Sequence, residues 1–161
     1  MSLIDQLKSD LNQALKSGEA LKVETLRGLL ASLHNREIEL RGKGGELALP
    51  AGQAGSPARG LDEEEMITVL RKEAKKRKEA NQIYAGAGRA DLANKELKEL
   101  TFIKAYLPLE MNPEEIEAIV KRVIEEGVTE FGRVMGAVVK ETKGRAEPGT
   151  VKEIVERVLG E

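Results

Sequence analysis

The last thirty residues alternate two apolar stripes of helical spacing with one short basic turn. Phe131, Val134, Met135, Val138 and Val139 recur at i, i+3, i+4, i+7 and i+8, one face of a helix. The stretch is rich in β-branched residues, but its spacing is helical rather than alternating, so it predicts helix and not strand. Thr129 is placed to cap the start with its hydroxyl. Gly144 is placed to end the helix in the left-handed conformation. Pro148 suits the first position of a following helix, where its missing N–H costs nothing. Val151, Ile154, Val155, Val158 and Leu159 supply that helix's buried stripe. Lys143-Gly144-Arg145-Ala146 lies between the two, and Arg133 and Lys140, seven apart, fall on the solvent side of the first.

The same periodicity organises the rest. Ser2 with Asp5 is a capping-box variant, followed by a stripe of Leu3, Leu7, Leu11, Ala14 and Leu15 that stops at Gly18. A second helix is expected from Glu19 to Arg41, buried through Leu26, Leu29, Leu30, Leu33 and Leu40. The very short turn between them predicts an antiparallel pair. Asp62 and Glu65 form the next capping box, with Leu61 and Met66 as its hydrophobic staple. Met66, Leu70, Ala74 and Tyr84 then share one side of a third helix, and Gly86-Ala87-Gly88-Arg89 breaks it. A fourth helix is expected from Ala90 to Leu107, with Leu92, Leu100, Ile103 and Leu107 inward and Pro108 as its stop. Asn112, Pro113 and Glu115 open a fifth, stapled by Met111 and Ile116, with Ile119, Val120 and Val123 buried before Gly127. The pattern predicts an all-α protein. An antiparallel helical domain over 1–108 is followed by a small three-helix bundle over 112–161.

Residues 42–60 carry six glycines and two prolines. They bury little and lose much entropy on ordering, so they read as a mobile linker. A phosphate-cradling loop would need Gly-Lys-Ser/Thr leading directly into a helix, and this stretch has none.

Composition narrows the function. There is no cysteine, hence no disulfide framework, thiolate nucleophile or thiolate metal site, and this favours a reducing, cytoplasmic setting. The opening residues form an amphipathic helix containing acids rather than a signal peptide. No apolar run reaches membrane-spanning length, so no membrane partner is expected. Aromatic residues make up 2% of the chain, too few for a stacking platform on single-stranded nucleic acid. The net charge is −2, so a polyanion would have to meet a local patch.

Catalytic chemistry is absent from the pattern. His34 is the only histidine, and without a second histidine or a cysteine it reads as a surface or packing residue rather than a base or ligand. The serines read as caps or loop residues, outside any nucleophile-elbow pattern. No catalytic residue, cofactor or metal is expected.

Binding fares better. Arg133, Lys140, Lys143 and Arg145 can form a cationic corner around Gly144 and Ala146. Residues 112–161 nonetheless hold eight Lys/Arg against eleven Glu, net −3, which favours orientation of a bound polyanion over raw affinity. Gly136 is expected to permit close helix packing, and Glu147 to occupy part of the positive start of the last helix. On the third helix Arg71, Lys72, Lys75 and Lys78 share a side. They read either as a phosphate-binding ridge or as a solvated face, with Glu73 and Glu79 as partners inside the helix. Arg77 points towards the apolar side, where it either snorkels or pairs with a carboxylate.

Val134-Met135-Gly136, then Lys143-Gly144-Arg145-Ala146, then Pro148 and a valine-rich helix resemble the GatB/YqeY family. That tail domain is shared by the B subunit of the glutamine-dependent transfer-RNA amidotransferase and by stand-alone YqeY-like proteins. Residues 27–38, 73–84, 87–89 and 105–108 resemble the stand-alone members, so the likeness spans nearly the whole chain except the glycine-rich insert. The resemblance implies a non-catalytic accessory that binds transfer RNA, with Lys140, Lys143, Gly144, Arg145 and Ala146 nearest the RNA. It implies, alternatively, a component acting with amidotransferase or aminoacyl-tRNA synthetase subunits, as carbon–nitrogen ligases with glutamine as amide donor do. A helical protein–protein adaptor is a further alternative.

Overall fold

The structure is a computed structural model that describes residues 1–42 and 60–160. Among the described residues every regular element is an α-helix, as the periodicity predicts. In chain order these are α1 (Leu3–Ser17), α2 (Ala20–Gly42), α3 (Glu63–Gly86), α4 (Ala90–Lys104), α5 (Pro113–Glu125), α6 (Phe131–Thr142) and α7 (Pro148–Leu159). The linker expected over 42–60 lies, apart from its end residues, outside the described residues. The chain divides into two compact units, Met1–Leu107 and Pro108–Glu161.

Three helix starts form as their local sequences dictate. Ser2 and Asp5, Asp62 and Glu65, and Asn112 and Glu115 each exchange side-chain and backbone bonds as reciprocal capping boxes. The Asp5 carboxyl is held below the ordinary carboxylate range, first by the Ser2 hydroxyl and then by its backbone N–H. Gly18 takes φ 74° and donates its N–H to the Ala14 carbonyl, closing α1 so that α2 can start two residues later.

In the first unit Leu7 of α1, Leu26, Leu29 and Leu33 of α2, Met66, Leu70 and Ala74 of α3, and Leu100 and Ile103 of α4 form one core. Truncating a fully buried leucine such as Leu70 to alanine costs about 2–5 kcal/mol. Two expectations fail here. Leu15 is 48% exposed, because the core-facing register of α1 runs through Leu7, Leu11 and Ala14. Helix α4 ends at Lys104, not Leu107. Pro108 excludes helical geometry at Leu107, and the chain tightens first, with Tyr106 N–H on the Ile103 carbonyl and Leu107 N–H on that of Lys104. The Tyr106 hydroxyl then donates to the Asp10 carboxylate, fastening this end of the unit to α1. Burial and that neighbouring charge push the Tyr106 pKa well above its ordinary value.

In the second unit Ile116, Val120 and Val123 of α5 meet Val134 and Val138 of α6 and Val151, Ile154 and Val155 of α7, with Ala146 between. Three local expectations need correction. Helix α6 is preceded by Glu130 rather than capped by Thr129, and no side chain bonds its first turn. Val139 is 43% exposed and Thr142 is buried in its place, because the stripe continues as 134, 138 and 142. Gly136 is exposed with nothing within 4 Å of where a Cβ would stand, so it serves no close packing. Glu147 precedes α7 without a side-chain cap bond.

Candidate functional site

The basic turn between α6 and α7 is built by two successive left-handed residues. Lys143 has φ 47° and Gly144 φ 78°, and Lys143 is the one non-glycine with positive φ among the described residues. Such a conformation costs a side-chain-bearing residue about 1–2 kcal/mol, so something must hold it. Thr142 is buried and its hydroxyl donates to the Val139 carbonyl at 3.0 Å. Arg145 N–H donates to the Thr142 carbonyl at 2.9 Å, and the Arg145 carbonyl accepts from Met111 N–H at 2.7 Å. Arg145 Nε reaches the Leu109 carbonyl at 3.0 Å. The turn is thereby tied to the segment that leads into α5.

The predicted corner residues take different roles. Lys143, Gly144, Arg145 and Ala146 lie on this one turn, and Lys140 lies on the last turn of α6. Arg133 is on the first turn, about 10 Å away along the axis at 1.5 Å per residue. Lys140 and Lys143 are exposed, and among the described residues neither meets a carboxylate. Arg133 is exposed but paired with Glu130 at 3.3 Å. Arg145 is exposed while its Nε serves the turn. Gly144 is half-buried and Ala146 belongs to the core.

The other cations of this unit are occupied. Lys121 and Arg157 both meet Glu117, at 2.7 and 2.6 Å. Their contacts, led by the Lys121 hydrogen bond, hold the Glu117 carboxyl below the ordinary range. Arg122 pairs with Glu141, and Lys152 with Glu156 at 3.9 Å.

On α3 the sequence expectation for the charges needs a larger correction. Glu73 is not part of a solvated face. It is 7% exposed, as is Glu99 of α4, and Arg77 bridges the two: Nη1 to Glu73 at 2.6 Å, Nε to Glu99 at 3.0 Å. Lys76 reaches Glu73 at 2.9 Å, and Lys95 reaches Glu99 at 3.9 Å and Glu24 at 3.6 Å. Gly28 of α2 lies against the same guanidinium, where a Cβ would stand 4.0 Å from Nη2. Asn81 closes the contact by donating to the Ala93 carbonyl at 2.7 Å.

Burial alone would raise the Glu73 carboxyl; hydrogen bonds from Lys76 and Arg77 outweigh it and hold it below its ordinary value. Burial likewise opposes the Arg77 charge, and the bonds to Glu99 and Glu73 overcome it and raise its pKa. Arg77 thus pairs with carboxylates, one of the two roles its placement allowed. The signal for Glu73 was its position four residues before Arg77 on the inward side. Glu99 carried no local signal, because its partner is 22 residues away.

Of the predicted ridge, Lys72, Lys75 and Lys78 are exposed, and among the described residues none meets a carboxylate. Arg71 is half-buried and already engaged. His34 is exposed on α2, 3.8 Å from Glu37. Among the described residues no three His, Asp or Glu side chains converge as metal ligands would. No described helix is long and apolar enough to cross a membrane. A hollow of about 450 Å³ opens at the α1–α2 turn beside Leu15, Val23 and Arg27.

Comparison with known proteins completes the description. The chain is 30% identical to the mitochondrial protein "Altered inheritance of mitochondria protein 41" of Vanderwaltozyma polyspora, over 73% of this chain and 56% of that protein. The protein of the same name in Lachancea thermotolerans is 30% identical over 65% of this chain and 47% of its own length. That of Pyrenophora tritici-repentis is 25% identical over 98% and 81%. The chain spans about half the length of the first two. These relatives are named as mitochondrial, which overturns the cytoplasmic placement expected from composition. Lack of cysteine excludes a disulfide framework and does not distinguish one compartment from another. The model of the Yqey-like protein family matches residues 4–159, and the chain belongs to that family.

Proposed function

We propose that this protein is an accessory that docks on structured RNA, transfer RNA first among them, through the turn between α6 and α7, and that it acts by holding the RNA rather than transforming it. The observation that carries this reading is the free pair Lys140 and Lys143 beside a turn braced from both sides, in a unit where the neighbouring cations are paired. The backbone that carries Lys143 is already fixed, so contact with a phosphate orders only its side chain, and its charge is not already spent. Residues 108–161 carry eight Lys/Arg against twelve Glu, net −4, so a polyanion is accepted at this corner and repelled around it. The expected contact is weak and oriented.

Titration of labelled transfer RNA at 50 and 200 mM salt tests the reading. Reversal of both charges, Lys140→Glu with Lys143→Glu, weakens binding by about tenfold or more at the lower salt, and binding falls as salt rises. Affinity indifferent to salt or to the double reversal removes the reading.

A protein-docking role has one observation in its favour, the hollow beside the half-exposed Leu15. Pull-downs with and without nuclease separate the two: partners that survive nuclease and are lost in Leu15→Asp favour docking of protein.

A further inference from the structure

Helix α3 sorts its charges by side. Its inward cation, Arg77, is consumed by Glu73 and Glu99, and the exposed Lys76 is paired to Glu73 from the surface. Outside remain Lys72, Lys75 and Lys78, exposed and without a carboxylate partner among the described residues, with Glu79 among them and the exposed acids Glu63 and Glu64 confined to the first turn of the helix. They span about 9 Å of helix axis at 1.5 Å per residue. The helix that carries them is fixed, with Met66, Leu70 and Ala74 in the core and Asn81 bonded to α4. Residues 1–107 hold 18 Lys/Arg against 16 Asp/Glu, net +2, so the background field attracts an anion here.

We propose that this outward face of α3 is a second docking surface, and that its partner is the phosphate backbone of double-helical RNA. The proposal rests on the RNA-binding reading above but concerns a different surface. Three observations select the partner. The lysines offer charge without an aromatic face, and single strands are held by stacking on aromatic rings. An interfacial membrane helix needs an apolar face free to insert; that of α3 is committed to the core, leaving Ile83 as the one large apolar residue exposed on this helix. Point charges on a straight rod contact phosphates and read no base, which suits recognition of a duplex by its backbone.

The test uses the full chain and a 20-base-pair RNA duplex, with affinity followed from 50 to 200 mM salt. Each phosphate contact contributes roughly 0.7–0.9 to the slope of log affinity against log salt. The variant Lys72→Gln/Lys75→Gln/Lys78→Gln should lower that slope by about 2–3 and weaken binding at 50 mM by about tenfold or more. The corresponding triple arginine variant should restore both, and circular dichroism should show unchanged helix in each. An unchanged slope in the glutamine variant overturns the proposal. In that case a slope lowered by Lys140→Gln/Lys143→Gln keeps the tail reading alive, whereas loss only in the α3 variant sinks the tail reading and keeps this one. No binding at 50 mM overturns both. Equal affinity for a DNA duplex of the same sequence, or lysine-dependent binding to vesicles rich in phosphatidylserine, overturns the assignment to RNA.

Discussion

Both units pair surface carboxylates with neighbouring cations, and they differ in one buried cluster. In Met1–Leu107 two carboxylates, Glu73 and Glu99, are drawn into the α3–α4 contact and take Arg77 with them, while Lys76 reaches Glu73 from the surface. In Pro108–Glu161 the carboxylates stay at the surface and quench the cations beside them, as Glu117 does for Lys121 and Arg157 and Glu130 for Arg133. Three free lysines cluster on α3 and two at the α6–α7 turn, while Lys16, Lys98 and Lys104, also exposed without a carboxylate partner among the described residues, stand apart from both clusters. A count of basic residues therefore misleads. What sets the free charge is where the carboxylates go, and that is decided by packing.

Removing the half-buried Arg77 guanidinium should break this contrast most severely. Arg77→Ala leaves two buried carboxylates facing each other and should cost about 3–5 kcal/mol. Hydrogen exchange should show lost protection in α3 and α4 with α5–α7 unchanged. Adding Glu73→Gln and Glu99→Gln to Arg77→Met should recover much of the loss, because it removes the stranded charges. By contrast Arg133→Ala, which breaks an exposed pair, should change stability by less than about 1 kcal/mol.

Acid should act on the same contact. The Glu73 carboxyl is depressed in the folded chain, so its contribution is fully present above its ordinary value of 4.5 and is lost as pH falls through the lower folded value. Unfolding measured by urea from pH 6 to pH 3 should show the first unit weakening below about 4.5, and Glu73→Gln should flatten that dependence while weakening the unit at neutral pH.

Tyr106→Phe should follow, at about 1–2 kcal/mol. It deletes the bond to Asp10 that ties the end of the first unit to α1. Smallest and opposite in sign is Lys143→Gly. A glycine accepts the left-handed conformation without the side chain's penalty, and its own unfolded-state entropy offsets part of the gain, so a rise of about 0.5–1 kcal/mol is expected. The same change should weaken transfer-RNA binding, separating stability from function at one residue.

Much of the architecture was legible before any coordinates. The three capping boxes, the Gly18 stop and the Pro148 start depend on neighbours within four residues, and they form as written. The helical stripes placed most of both cores. What failed lies at the edges of those stripes and across the chain. Leu15 and Val139 sit one position beyond the face their partners cover. Thr129 offered a cap, but α6 starts after Glu130 and leaves its first turn without a side-chain bond. The candidate corner was visible as a cluster of basic residues. That Arg145 fastens the turn to Leu109 was not, because its partner is 36 residues away. The burial of Glu99 was hidden for the same reason.

The central claim is that two clusters of lysines without carboxylate partners, on α3 and at the α6–α7 turn, are the ones that meet RNA. Quantitative lysine acetylation of the full chain, read residue by residue with and without saturating transfer RNA at 50 mM salt, tests it directly. Lys72, Lys75, Lys78, Lys140 and Lys143 should be modified readily in the free protein and protected by RNA; Lys16, Lys98 and Lys104, equally exposed and unpaired but outside both clusters, should be modified readily with or without RNA; and Lys76 and Lys121, held by Glu73 and Glu117, should react slowly and change little. Protection spread evenly over all lysines, or confined to those already paired, would contradict the account.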